Sequence, residues 1–144
     1  MKTYTDIKQS KKLAEILPIE SADMRYGYIA PYECSDRMYD GGYDNVPYPK
    51  DFLAKNCNFS PEDYDGELPC WSLAALFNVL PNTLGYNSKI LGWFDDSWHC
   101  EYMDEDGEDS KYGFSSDNQV DACFGMILKL HEIGMNYENI KNLS

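Results

Sequence analysis

The sequence predicts an α+β fold: three helices at about 4–17, 70–80 and 118–133, with a small antiparallel three-stranded meander at about 89–115. Three observations predict it. Apolar residues recur at helical spacing near both ends of the chain. A continuous apolar run, PCWSLAALFNVLP, is fenced by Pro69 and Pro81 in the middle. Short alternating segments separated by acidic turns follow that run. A chain of 144 residues fits one domain, 1–144, large enough to bury a core without disulfides or metal.

The first helix is placed at 4–17 by Ile7, Ser10, Leu13, Ala14 and Leu17, which share one side of a helical wheel. Lys8, Lys11, Lys12 and Glu15 occupy the other side. Thr3 or Thr5 is the expected cap, Asp6 suits the first turn, and Pro18 stops the helix. A short strand is expected next, with Met24, Tyr26 and Tyr28 on one face. From about 30 to 68 prolines and glycines are too frequent for regular structure, apart from one helical turn in FLAKNC (52–57). Seven of the 12 tyrosines lie between Tyr26 and Tyr64, among many acids, and PEDYDGE (61–67) reads as an acidic loop.

The central helix, 70–80, is apolar nearly all round and needs cover on several sides. The meander consists of KILGWF, a DDS turn, WHCEYMD and KYGFS. In its second strand Trp98, Cys100 and Tyr102 face one way, and His99, Glu101 and Met103 the other. The last helix has Ser116 or Asp117 as its expected cap and Gly134 at the position past its end. Val120, Cys123, Phe124, Ile127, Leu130 and Ile133 form its apolar arc, with His131 at the core edge. Asp121, Gly125, Lys129 and Glu132 form its polar strip.

The formal net charge of −13 speaks against direct nucleic-acid binding, which uses clustered Lys and Arg to neutralise phosphates, and against docking on anionic lipid. The N-terminus lacks the apolar segment of a signal peptide, and no run is long enough to span a membrane. Five widely spaced cysteines (Cys34, Cys57, Cys70, Cys100, Cys123) without a CxxC pair read as reduced thiols in a cytoplasmic protein.

One constellation has catalytic potential. Cys70 would open the central helix, where the dipole and free amides stabilise a thiolate, and His99 on a later strand would be its base. Cys70, Trp71 and His99 resemble the layout of papain-like cysteine hydrolases, but Pro69 and Leu68 replace the glycine-rich lead, and no upstream glutamine is placed for an oxyanion site. A buried cysteine beside a core tryptophan explains the same letters. No metal is expected: His99 and Cys100 point to opposite faces of a strand, and neither acidic loop matches a calcium-binding loop, since Tyr102 or Pro61 would stand at its first position. Ser116-Asp117-Asn118 lacks the SxxK partner of penicillin-recognising enzymes. No cofactor is implied.

Three segments, TYTDIKQSKKLAEILPIESADM, PCWSLAALFNVLP and VDACFGMILKLHE, together resemble a family of small uncharacterised proteins of gut bacteria, often carried on prophages and other mobile elements. The resemblance runs through the three helices. It implies a bacterial, cytoplasmic accessory protein, and it assigns no activity, cofactor or catalytic residue.

The leading expectation is a non-enzymatic protein-interaction or regulatory protein. Its surface would use the aromatic, acidic middle region, through Tyr32, Tyr39, Tyr43, Tyr48 and Tyr64. One alternative is an acidic mimic of nucleic acid that occupies a basic partner, with carboxylates spaced along one face. The other is the Cys70–His99 hydrolase.

Overall fold

The computed structural model describes residues 1–29, 32–34, 37–50, 66–104 and 109–137. The expected turn at 52–57, most of the acidic loop at 61–67, and Tyr64 lie outside them. The predicted mixture of helices and antiparallel sheet is present, but the meander is too small a description. Two four-stranded antiparallel sheets and a separate two-stranded pair are found.

The first sheet is built on β1 (Met24–Ile29), which pairs along one side with β6 (Gly66–Cys70), from Met24↔Cys70 to Tyr28↔Gly66. Its other side is shared by β4 (Gly42–Tyr43) at one end and β5 (Tyr48–Pro49) at the other. The remaining short strands, β2 (Tyr32–Cys34) and β3 (Arg37–Tyr39), pair with each other. The middle region is therefore less irregular than its breakers predict. Two- and three-residue strands fit between prolines and glycines, and a partner strand supplies the order that local propensity does not.

The N-terminal helix is Ile7–Ala14, shorter than expected. Residues 3–5 are extended instead: Thr5 N–H donates to Trp71 O at 2.9 Å, Leu73 N–H donates to Thr3 O at 2.9 Å, and Tyr4 bridges Ser72. Asp6, expected in the first turn, is the cap. Its carboxylate accepts from Gln9 N–H at 2.7 Å and Gln9 Oε1 accepts from Asp6 N–H at 3.1 Å, a reciprocal capping box.

The central helix is Leu73–Val79, so Cys70 does not open it. Cys70 ends β6, Trp71 follows in extended form, and Ser72 is the cap, accepting from Ala75 N–H at 3.2 Å. Asp23 holds that cap through Ser72 N–H at 2.9 Å and Ser72 Oγ at 2.5 Å. A continuous apolar run does not reveal where a buried strand gives way to a buried helix. Here the pairing of Met24 with Cys70 decides it.

The second sheet runs β10-β9-β8-β7, from β7 (Thr83–Leu84), β8 (Asn87–Phe94), β9 (Ser97–Met103) and β10 (Asp109–Ser116). Asp95 and Asp96 have φ of 53° and 59°, which makes the β8–β9 connection a two-residue type I′ hairpin turn. Ser97, expected in the turn, therefore belongs to the strand. The C-terminal helix, Gln119–Glu132, is capped by Asn118, whose side chain accepts from Asp121 N–H at 2.8 Å. Neither Ser116 nor Asp117 caps it. Gly134, at φ 100°, follows the helix as predicted.

This helix packs on β9, β10 and the central helix. Trp71, Leu76, Leu80, Tyr102, Met126 and Ile127 are among the wholly buried side chains between these elements. Trp71 Nε1–H donates to Ser21 Oγ at 2.9 Å, and Tyr102 OH donates to Pro81 O at 2.6 Å, so the polar tips of the buried rings are satisfied. Lys89 Nζ donates to Phe77 O at 2.6 Å and Leu80 O at 3.0 Å, filling the carbonyls that the central helix leaves open at its end. His131, expected at the core edge, is exposed. Gly125, expected on the polar strip, is buried under the ring of Phe114.

Candidate functional site

Cys70 and His99 are set in different sheets with separate partners. The Cys70 thiol is wholly buried, donating to Thr5 O at 3.4 Å and lying 3.6 Å from Thr5 Oγ1. Around it Thr5 Oγ1 meets Ser10 Oγ at 2.8 Å and accepts from Trp71 N–H at 3.1 Å, and Tyr26 OH donates to Thr5 O at 2.8 Å. Burial pushes the thiol pKa up, and hydrogen bonds from Thr5, Ser10 and Tyr26 offset this only in part. A strand end supplies no helix dipole, so the expected activation of Cys70 loses its physical basis. The Cys100 thiol is likewise pushed up, by its hydrogen bond with Cys123 and by burial. Cys70, Cys100 and Cys123 are free buried thiols.

His99 belongs to another arrangement. Ser97, His99 and Glu101 alternate along β9 and project from one face. Ser97 Oγ is 3.0 Å from His99 Nε2, and His99 Nδ1 is 3.1 Å from Glu101 Oε1. These are the separations of a Ser-His-Glu triad. The serine was missed in the sequence because a DDS turn removed it from the strand; SxHxE at period two was the available signal.

A backbone carbonyl competes with Ser97 for the imidazole. Nε2 also lies 3.0 Å from Phe94 O, which can only accept. A hydrogen on Nε2 would satisfy that carbonyl and leave no lone pair for the Ser97 proton, whereas a hydrogen on Nδ1 would satisfy Glu101 and leave that lone pair facing both Ser97 and the carbonyl. Phe94 stacks on the imidazole at 3.9 Å and 6°, holding the ring in place. Glu101 lies over Gly113, where a Cβ would come within 3.1 Å of Glu101 Cγ. Among the described residues Glu101 Oε2 is buried with no hydrogen-bond partner. Asp95 and Asp96 stand beside Ser97, where a developing oxyanion would need donors rather than carboxylates. The row is best described as a clamped hydrogen-bond ladder on a strand face.

Of the expected tyrosines, the structure describes the side chains of Tyr43 and Tyr48. Tyr32 and Tyr39 are backbone partners across β2 and β3. Tyr43 is half-buried against Tyr28 (centroids 4.8 Å apart, planes at 51°), with Lys11 Nζ 5.4 Å from its ring centre. Tyr48 is also half-buried, at the other end of β1 beside Arg25. The described aromatics that reach furthest into solvent are on or beside the second sheet: Tyr86 at 98 % exposure, Trp93 at 55 % and Phe114 at 41 %.

Charge is concentrated there too. Among the side chains described there, five carboxylates, Asp95, Asp96, Glu101, Asp104 and Asp117, stand against the single lysine Lys89. Asp95 and Asp96 lie at one end of β9 and Asp104 at the other, roughly 25 Å apart at strand spacing. Among the described residues no group of three or more His, Cys, Asp or Glu is placed to hold a metal ion, and no helix is long and apolar enough to cross a membrane.

No protein-family model matches the chain, and no curated protein or solved structure matches it.

Proposed function

We propose that the protein is a small non-enzymatic protein-interaction protein, acting in the bacterial cytoplasm as a regulatory or accessory protein of a mobile element. The exposure of Trp93 beside an acidic turn, on a sheet whose opposite edge is covered by a helix, carries this proposal. An exposed tryptophan offers a large rigid contact area at low entropic cost, as interface anchors do. The burial of Cys70, in a different sheet from His99, favours this reading over the thiol hydrolase.

The test is site-specific photo-cross-linking in the producing cell from Tyr43, Tyr86 or Trp93. The expected result is one defined protein adduct from at least one position, lost when the unlabelled protein competes. Absence of an adduct from all three, together with labelling of Ser97 by a fluorophosphonate, would replace the proposal with a hydrolase.

A further inference from the structure

The hairpin turn fixes which backbone groups of β8 point where. In a two-residue turn the flanking pair, Phe94↔Ser97, exchanges hydrogen bonds, and pairs then alternate along the ladder. Gly92↔His99 and Ile90↔Glu101 are therefore bonded pairs, while Trp93, Leu91 and Lys89 turn their N–H and C=O away from β9. Lys89 bears this out: its N–H donates across the other edge to Asn82 O at 3.1 Å. β7 pairs with β8 only at Asn87 and Ser88. Beyond Lys89, the outward N–H and C=O of Leu91 and Trp93 have no backbone partner among the described residues.

The opposite edge of the sheet is handled differently. The same alternation turns Gly113 of β10 outward, and Lys129 of the C-terminal helix donates to Gly113 O at 2.9 Å. A lysine laid across an edge strand is a common guard against strand addition. Among the described residues β8 has no such guard, since its own Lys89 is drawn into the end of the central helix.

We infer that the outer edge of β8 at Leu91–Trp93 accepts an added strand from a lysine- or arginine-rich segment of a partner protein. This rests on the protein-interaction proposal and names the site and the partner chemistry. The backbone edge supplies the hydrogen bonds, as in strand-addition complexes generally. The charge of the occupant follows from the described residues at this edge: Asp95 and Asp96 are exposed next to Trp93, and Lys89 is turned into the end of the central helix. The same charge repels a second copy of the chain.

The experiment uses the full-length protein and an alternating lysine–valine hexapeptide as probe, read by amide hydrogen exchange. In saturating peptide, exchange at Leu91 and Trp93 slows by roughly tenfold or more, while Ile90 and Gly92, already bonded to β9, are unchanged. Trp93→Lys and Tyr86→Lys then make equal changes of charge at opposite ends of β8. Trp93→Lys weakens peptide binding several-fold more than Tyr86→Lys. Unchanged exchange at Leu91 and Trp93, or equal weakening by the two variants, overturns the inference. So does a dimer, formed without peptide, in which those two amides are already protected. A cross-link from Tyr43 or Tyr86 without protection at Leu91 and Trp93 removes the edge site and leaves the interaction proposal standing.

Discussion

The ring of Phe114 lies on the backbone of Gly125, in the space that a Cβ at residue 125 would occupy. A mid-helix glycine costs about 1 kcal/mol relative to alanine, so its use here reflects the close approach of β10 to the C-terminal helix. Gly125→Ala should displace the ring and destabilise the protein by about 1 kcal/mol net, the crowding outweighing the helix gain. In the Phe114→Ala background the same substitution should instead stabilise. Urea unfolding of the four proteins in the cycle measures the coupling.

The buried thiols make the fold sensitive to alkali. Cys70 and Cys100 are both pushed above the ordinary thiol pKa of 9.0. Below that value folded and unfolded chains are both protonated, and the thiols add no pH dependence. Above it the unfolded chain loses protons that the folded chain retains, so stability falls by about 1.4 kcal/mol per thiol for each pH unit. Stability measured by urea from pH 7 to pH 10 should be flat and then decline, with a shallower decline for Cys70→Ser. Tyr26, Tyr102 and Tyr137, also pushed up by burial, steepen it at higher pH.

Asp121 joins the two terminal helices. Its carboxylate accepts from Lys2 Nζ at 2.8 Å, Gln9 Nε2 at 2.7 Å and Asn118 Nδ2 at 2.7 Å. Partial burial acts to raise its pKa, but Lys2, Asn118 and Gln9 outweigh it and hold the group below 3.8. Asp121→Ala should cost about 1–2 kcal/mol at neutral pH. A depressed carboxylate stabilises above its unfolded pKa and loses that contribution as pH falls through the folded one. The difference between wild type and Asp121→Ala should therefore shrink below pH 3.8.

Lys129 guards β10 through Gly113 O. Lys129→Ala should uncover that edge at a cost of about 1 kcal/mol in stability. A concentration-dependent dimer in sedimentation, absent from the wild type, is the expected sign of an edge left open. A variant that remained monomeric at high concentration would mean that the helix alone covers the strand.

Much of the fold was legible in local pattern. The helical spacing of Leu13, Leu17, Val120, Ile127 and Leu130 located both terminal helices, and the alternation of Trp98, Cys100 and Tyr102 located the buried face of β9. The errors share one cause. The start of the N-terminal helix, the extended form of Cys70 and Trp71, and the short strands after β1 depend on partners far along the chain: Thr5 on Trp71, Cys70 on Met24, Tyr43 on Tyr28. Periodicity within a window carries no information about such pairings.

The candidate site divides in the same way. The sequence alone determined the acidic charge, the placement of His99 and Glu101 on one strand face, and the proximity of Trp93 to an acidic turn. Tertiary structure decided that Cys70 is sealed beneath Thr5, that Phe94 O lies 3.0 Å from the His99 nitrogen nearest Ser97, and that among the described residues a lysine crosses β10 and none crosses the outer edge of β8 at Leu91–Trp93. Charge and side-chain alternation are properties of consecutive residues. A backbone hydrogen-bond donor or acceptor is satisfied or left open only by what packs beside it.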